Sequence, residues 1–293
     1  MKDDELIELL KPTISASLGL IDVGARWGIE PKWRALADIS RILGFEPDAE
    51  ECDRLNSGSE QNVQYLPFGL AEETGEYSLY ITMEPACSSM YPPRRDLYEN
   101  YPCLEIIKPA SQVSINCRPL DQVMSSMNFG RVDAIKLDTQ GTELSILKGA
   151  VKTLQHVLFL EVEVEFNPLY EGQPLFHEVD AFLRAQNFTL WRFDNLVHYS
   201  RSRDEKNRTA FMIAGDPNDA VMADAPGGQL FWAQAIYVKE DLLPAKQTPL
   251  LGDRPQRAAI LALVYGARDL AFGVIARAED PSISDVFRHA STT

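Results

Sequence analysis

Between Leu18 and Pro67 three short apolar runs alternate with two stretches that read as helices, and this alternation restricts the chain more than any other feature. Leu18–Val23 (LGLIDV) is an apolar run leading into Gly24, the pattern of a buried strand. Residues 30–39 read as a helix with Pro31 in the first turn. Residues 42–46 (ILGFE) form a second apolar run closing on an acid, 48–55 a second helix, and 63–67 a third strand. A β-α-β-α-β unit specifies a parallel sheet with helices on its faces, because parallel neighbours need a crossover that packs back on the sheet.

The alternation continues at wider spacing. Residues 77–82 read as a β excursion, 120–127 as a short helix, 132–137 (VDAIKL) as a fourth strand and 142–154 as a helix. Residues 157–164 (VLFLEVEV) read as a fifth strand, 176–186 as a helix, 188–193 as a strand and 231–238 as a last strand, antiparallel at the far edge. Residues 83–118 are rich in Pro, Tyr, Cys and Ser and show little periodicity. They are expected to form an irregular insertion that acts as a lid or acceptor-binding element, with Arg94 or Arg95 offered to an anionic group. After a linker with Pro244, Pro249 and Pro255, residues 256–278 read as one apolar helix with Asp253 at its cap. The expected division is a catalytic domain over 1–243 and a helical extension over 244–293. That helix either docks on its own domain or carries a homo-oligomer contact.

A net charge of -15 opposes phosphate backbones and anionic membranes. This argues against nucleic acid as a partner and leaves a small neutral or cationic substrate. The opening MKDDELIELLK has no basic flank before an apolar run, and Arg268 and Asp269 interrupt the most apolar stretch, 258–276. A cytoplasmic chain without a membrane span is the expectation. Cys52, Cys87, Cys103 and Cys117 are widely spaced with no CxxC pair, which suits buried thiols better than zinc ligands.

Acids at the carboxyl ends of strands stand where open α/β sheets bind ligands. Asp22-Val-Gly24-Ala-Arg26-Trp-Gly28 joins the first strand to the first helix. Its glycines permit a tight turn and close approach of a ligand, and the helix N-terminus beyond offers free N–H groups. Asp22 orients the loop or accepts from an ammonium group. The spacing is not the GxGxxG of dinucleotide enzymes, because Ala25 and Arg26 follow Gly24. Glu46 closes the second strand, where an acid accepts from both ribose hydroxyls of a nucleoside; otherwise it is solvated while Asp48 caps the next helix. Asp138 closes the fourth strand in IKLDTQGTE, and Glu143 either complements the following helix dipole or serves the site. Glu161, Glu163 and Glu165 alternate with valines, so they share one face of the fifth strand. Stacked carboxylates must face water or a basic neighbour, or line the cleft. No further ligand cluster accompanies them, so no metal is assigned.

DVGARWG, FEPD and IKLDTQGTELSILKGA, in this order and strand-helix context, resemble the FkbM family of class I S-adenosylmethionine-dependent methyltransferases. The likeness runs over about residues 18 to 195. It implies that Asp22, Gly24 and Gly28 shape the pocket for the amino-acid part of the cofactor and that Glu46 holds the ribose. It also implies Gly69 and Leu70 near the adenine and Asp138 near the reacting methyl group or the cofactor amine. Two positions depart from the family pattern: Arg26 stands where Asn is usual, and Gln140 where Glu is common. Arg26 meets the cofactor carboxylate or a substrate acid, or is exposed.

The expected fold is α/β, a Rossmann-like seven-stranded class I methyltransferase sheet, mostly parallel with an antiparallel edge strand, plus the C-terminal helices. The expected reaction is methyl transfer from S-adenosylmethionine to a hydroxyl of a small molecule such as a sugar or polyketide. Asp138, Glu161 and Glu163 are the candidate catalytic carboxylates, and Asp22, Gly24, Arg26, Gly28, Glu46, Gly69, Leu70 and Asp138 the candidate cofactor residues. An NAD(P)-dependent oxidoreductase and a non-catalytic methyltransferase-like binding protein are the alternatives. The glycine spacing and the lack of a Tyr-x-x-x-Lys pair count against the first, and the retained acids against the second.

Overall fold

All six residues of Leu18–Val23 are buried, Asp22 included. A strand buried on both faces needs a covering layer on each side, and the sheet supplies this. The computed structural model describes residues 1–58, 62–201, 209–212, 220–224, 228–279 and 287. Strands β1 (Leu18–Val23), β2 (Ser40–Phe45), β3 (Val63–Leu66), β4 (Ala134–Leu137), β5 (Phe159–Glu165), β6 (Phe188–Tyr199) and β7 (Gln229–Lys239) form one seven-stranded sheet in the order β3-β2-β1-β4-β5-β7-β6. The first five are parallel. Strand β7 is antiparallel to both β5 and β6, so the antiparallel strand lies in the edge region, one place in, with β6 outermost. The chain moves from β1 to β2 and β3 on one side and to β4 and β5 on the other. That reversal opens a crevice at the carboxyl ends of the strands.

Helices α1 (Asp3–Leu10), α2 (Ala49–Gly58), α3 (Arg95–Asn100), α4 (Leu120–Ser126), α5 (Glu143–Lys148), α6 (Val151–Leu154), α7 (Phe176–Ala185), α8 (Arg254–Val264) and α9 (Arg268–Ile275) flank the sheet. One core packs Leu20, Ala134, Phe159 and Ile236 against α1, α8 and α9. A second packs Ile21, Ile135, Leu160 and Val162 against α4 to α7, and a third packs Leu97 of α3 with Tyr170, Tyr199 and Phe231. The helix expected over residues 30–39 is a 3-10 helix, Pro31–Ile39, with Pro31 in its first turn. The helix expected over 142–154 is two, because Gly149 is the point of closest approach to the chain around Ala71. A Cβ there would lie 2.4 Å from the Ala71 carbonyl oxygen.

The segment 83–118 is not irregular throughout. It holds α3 and the strand Pro109–Arg118, which pairs antiparallel with Gly75–Thr82 and parallel with Gly69–Leu70. Most of Pro109–Arg118 is exposed; Val113, Ile115 and Cys117 alternate with polar residues on its one apolar face, of which Cys117 is buried. The C-terminal helices are likewise not an outlying extension. Pro255 to Leu263 are all buried, and Gly266 (φ +66°) breaks the expected single helix into α8 and α9. Arg257 of α8 makes an ion pair of 2.9 Å with Asp133, which is fully buried beside β1 and also accepts from Gly19 N at 3.0 Å. The ring of Tyr265 stacks on Phe159 of β5 at 5.5 Å and 9°. Asp253 sits at the N-cap of α8, but its carboxylate takes the Ser15 N–H and hydroxyl and pairs with Arg257 instead of capping. The apolar surface that suggested an oligomer contact is therefore covered by the chain itself. No helix among the described residues is long and apolar enough to cross a membrane.

Candidate active site

A cavity of about 630 Å³ runs along the carboxyl ends of the strands, within the range of ordinary ligand pockets. Gly24 (φ +85°) and Gly28 (φ +97°) turn the loop after β1. A Cβ on Gly24 would lie 1.9 Å from the Asp138 carbonyl oxygen, so only glycine lets the β1 and β4 loops touch. Asp22 is below this surface and does not line the cavity. It accepts the Glu30 N–H at 2.6 Å and faces Lys136 Nζ at 3.6 Å. It folds the loop back from beneath the cavity, the first of the two roles its position allowed.

Glu46 follows β2 and is 4% exposed. Its Oε1 accepts from Asp48 N at 2.8 Å, while Asp48 Oδ1 accepts from Glu50 N and Glu51 N to cap α2. Asp48 is the cap, as the second reading had it, but Glu46 is buried instead of solvated and lines the cavity. Burial pushes the Glu46 carboxyl up to about 7, against the Asp48 N–H and the Arg26 guanidinium. Arg26 Nη1 stands 3.9 Å from Glu46 and 3.3 Å from Asp48, which fixes it at this acidic corner. Gly69 and Leu70 line the same end.

Asp138 follows β4 and opens to the cavity. Behind it, Lys136 Nζ lies 3.5 Å from Asp138 and 3.6 Å from Asp22. Burial works against the ammonium, but the carboxylates of Asp22, Asp138 and Glu161 outweigh it and keep Lys136 charged. The Thr139–Gly141 turn puts Gln140 at φ +58° and is held by Glu143, which accepts from Thr139 N (2.7 Å), Thr139 Oγ1 (2.9 Å) and Gly141 N (2.9 Å). Glu143 thus shapes the turn instead of meeting ligand. Gln140 Nε2 donates to Glu163 at 2.7 Å and to Asp138 at 3.3 Å, and Tyr170 donates to its Oε1 at 3.0 Å. Burial and then the Asp138 charge hold Glu163 well above the usual carboxylate range. Glu161 accepts two bonds from Lys32, at 2.8 and 2.9 Å. The three glutamates are all buried, but only Glu161 and Glu163 reach the cavity.

Of the sequence-expected residues, Gly24, Arg26, Gly28, Glu46, Gly69, Leu70, Asp138, Glu161 and Glu163 all line this one space. Lys32, Lys136 and Gln234 line it too and were not singled out. Lys136 had a signal, a lysine inside an apolar strand, which is seldom buried unless paired. Arg94 and Arg95 do not reach the cavity; they pair with Asp96 and Glu99.

The model of the methyltransferase FkbM domain matches residues 22–190. The chain belongs to the FkbM methyltransferase family. It is similar to hexuronic acid methyltransferase AglP of Haloferax volcanii, 23% identical over 203 residues, or 66% of this chain and 78% of that protein. It is also similar to 2-O-methyltransferase NoeI of Sinorhizobium fredii, 25% identical over 165 residues, or 53% of this chain and 66% of that protein. Magnesium protoporphyrin IX methyltransferase from Synechocystis PCC 6803, solved with bound S-adenosylmethionine, matches with a TM-score of 0.37 and 8% identity over 81% of this chain and 77% of that one. As an FkbM enzyme the chain is an S-adenosylmethionine-dependent methyltransferase, and this sets aside both the oxidoreductase and the non-catalytic readings. The site suits that cofactor. A buried acid whose Oε1 alone is engaged by the chain, set beside a glycine turn, offers an acceptor to a nucleoside diol.

Proposed function

We propose that this FkbM methyltransferase methylates a hydroxyl oxygen of a small, carbohydrate-like acceptor, with Asp138 as the base. The supporting observation is the position of Asp138, between the Glu46 end of the cavity and the Glu161–Glu163 end in the strand order, with an ammonium at its back. We assign Glu46 to the ribose, Gly24 and Gly28 to the amino-acid part of the cofactor, and Gly69 and Leu70 to the adenine. When bound, S-adenosylmethionine supplies an electrophilic methyl group on a sulfonium. The protein's own work is alignment and proton removal. Lys136 stands behind Asp138, Gln140 fixes the carboxylate's direction, and Asp138 takes the acceptor's hydroxyl proton. The two relatives methylate a hexuronic acid and a 2-O position by their names, which favours a sugar-like acceptor here. A cytoplasmic setting suits the buried thiols of Cys52 and Cys117, and the net charge of -15 argues against nucleic acid as acceptor. The test is calorimetric titration of S-adenosylmethionine into the wild type and Glu46→Ala. Micromolar binding that weakens about tenfold or more in a folded variant supports the assignment; equal binding rejects it.

A further inference from the structure

The acceptor end of the cavity carries information about charge. Beyond Asp138 it is walled by Glu161 and Glu163 of β5, Gln234 and Trp232 of β7, and Asn195 and Tyr199 of β6. Its two cations are already committed. Lys32 holds Glu161 at 2.8 Å and lies 4.8 Å from the centre of the Tyr265 ring, while Lys136 lies between Asp22 and Asp138. Arg26 is engaged at the ribose acid. Arg34 also lines the cavity, but on the side of Tyr65 in β3, with the cofactor residues. Among the described residues, no uncommitted cation faces the acceptor end. A carboxylate brought there would lose its water and gain no counter-ion.

Gln234 adds an independent observation. It is 7% exposed, sits directly across from Glu163 in the β5–β7 register, and lines the cavity. Its Oε1 is buried without a hydrogen-bond partner. Buried polar atoms are nearly always satisfied, and a carboxamide turns readily about its last torsion. An unsatisfied amide at a cavity wall is a place for a ligand's hydroxyl.

We propose that the acceptor is an uncharged polyhydroxylated molecule, with Gln234 accepting from a hydroxyl beside the one that reacts and the acceptor end excluding carboxylated analogues. This rests on the methyl-transfer reading above and narrows its substrate class. The same geometry makes Gln234 a specificity residue, which holds the acceptor but takes no proton from it.

The test uses the full chain with S-adenosylmethionine and matched pairs of methyl hexopyranosides and methyl hexuronides in the gluco, galacto and manno series, read by labelled-methyl incorporation. At least one neutral glycoside is expected to be methylated about tenfold or more efficiently than its uronide. Gln234→Leu should raise KM for that glycoside about tenfold with kcat changed less than about threefold. Gln234→Arg should narrow or reverse the preference against the uronide. Calorimetric cofactor binding, unchanged in both variants, shows that they are folded and separates this proposal from the cofactor assignment. Preference for the uronide in every pair, methylation of none of the neutral glycosides by a cofactor-binding wild type, or an unchanged KM in folded Gln234→Leu would overturn it.

Discussion

At the scale of single residues, burial sets the ionisation on which binding depends. The free carboxyl of Glu46 titrates near 7 because it is buried against only a peptide N–H and a distant guanidinium. It accepts best from a diol as the anion, and ionisation is more complete as pH rises through that value. Cofactor affinity is therefore expected to strengthen between pH 6 and pH 8, by up to about tenfold per unit below the midpoint. Glu46→Gln should bind more weakly and lose most of this slope. Calorimetry across that range checks it, and an identical slope in the variant would assign the titration to another group.

At the scale of elements, the positions of strand-end residues were legible and their partners were not. Asp22, Glu46 and Asp138 stand at strand ends because apolar runs of strand length stop there, and this can be read from the sequence alone. Alternation likewise put Glu161, Glu163 and Glu165 on one face. That Lys32 would answer Glu161, or that Gln140 would join Asp138 to Glu163, depends on loop conformation and long-range packing, which carry no period. Pro109–Arg118 does alternate, with Val113, Ile115 and Cys117 on one face, but the alternation spans only a few residues inside a segment rich in Pro, Tyr, Cys and Ser, and most of the strand is exposed. Helix α8 is visible as an apolar stretch, but the buried ion pair between Arg257 and Asp133 that ties it to the sheet is not. Removing one partner of such a pair strands the other. Arg257→Met is expected to cost about 3 kcal/mol, even with Arg131 still beside Asp133. That corresponds to roughly 6–12 °C in Tm, and a thermal melt that matches wild type would show that Arg257 does not anchor the helix.

At the scale of the whole molecule, the C-terminal helices complete one face of the sheet. Ile260, Leu261 and Leu263 belong to the same core as Leu18 and Phe159, so the chain to Lys246 is an unfinished domain. Truncation after Lys246 is expected to give insoluble or molten protein, whereas recovery of a folded, cofactor-binding monomer would restore the view of 244–293 as a separable extension. The same cores hold the sheet that aligns the two ends of the cavity, the Glu46 end and the Glu161–Glu163 end, with Asp138 between them. Turnover of Asp138→Asn, measured by labelled-methyl transfer at saturating cofactor with whichever acceptor the wild type uses best, tests that arrangement most directly. The variant keeps the shape and removes the charge, so a fall of about 100-fold or more in kcat with cofactor affinity unchanged is expected. Wild-type turnover in a folded, cofactor-saturated Asp138→Asn would contradict it.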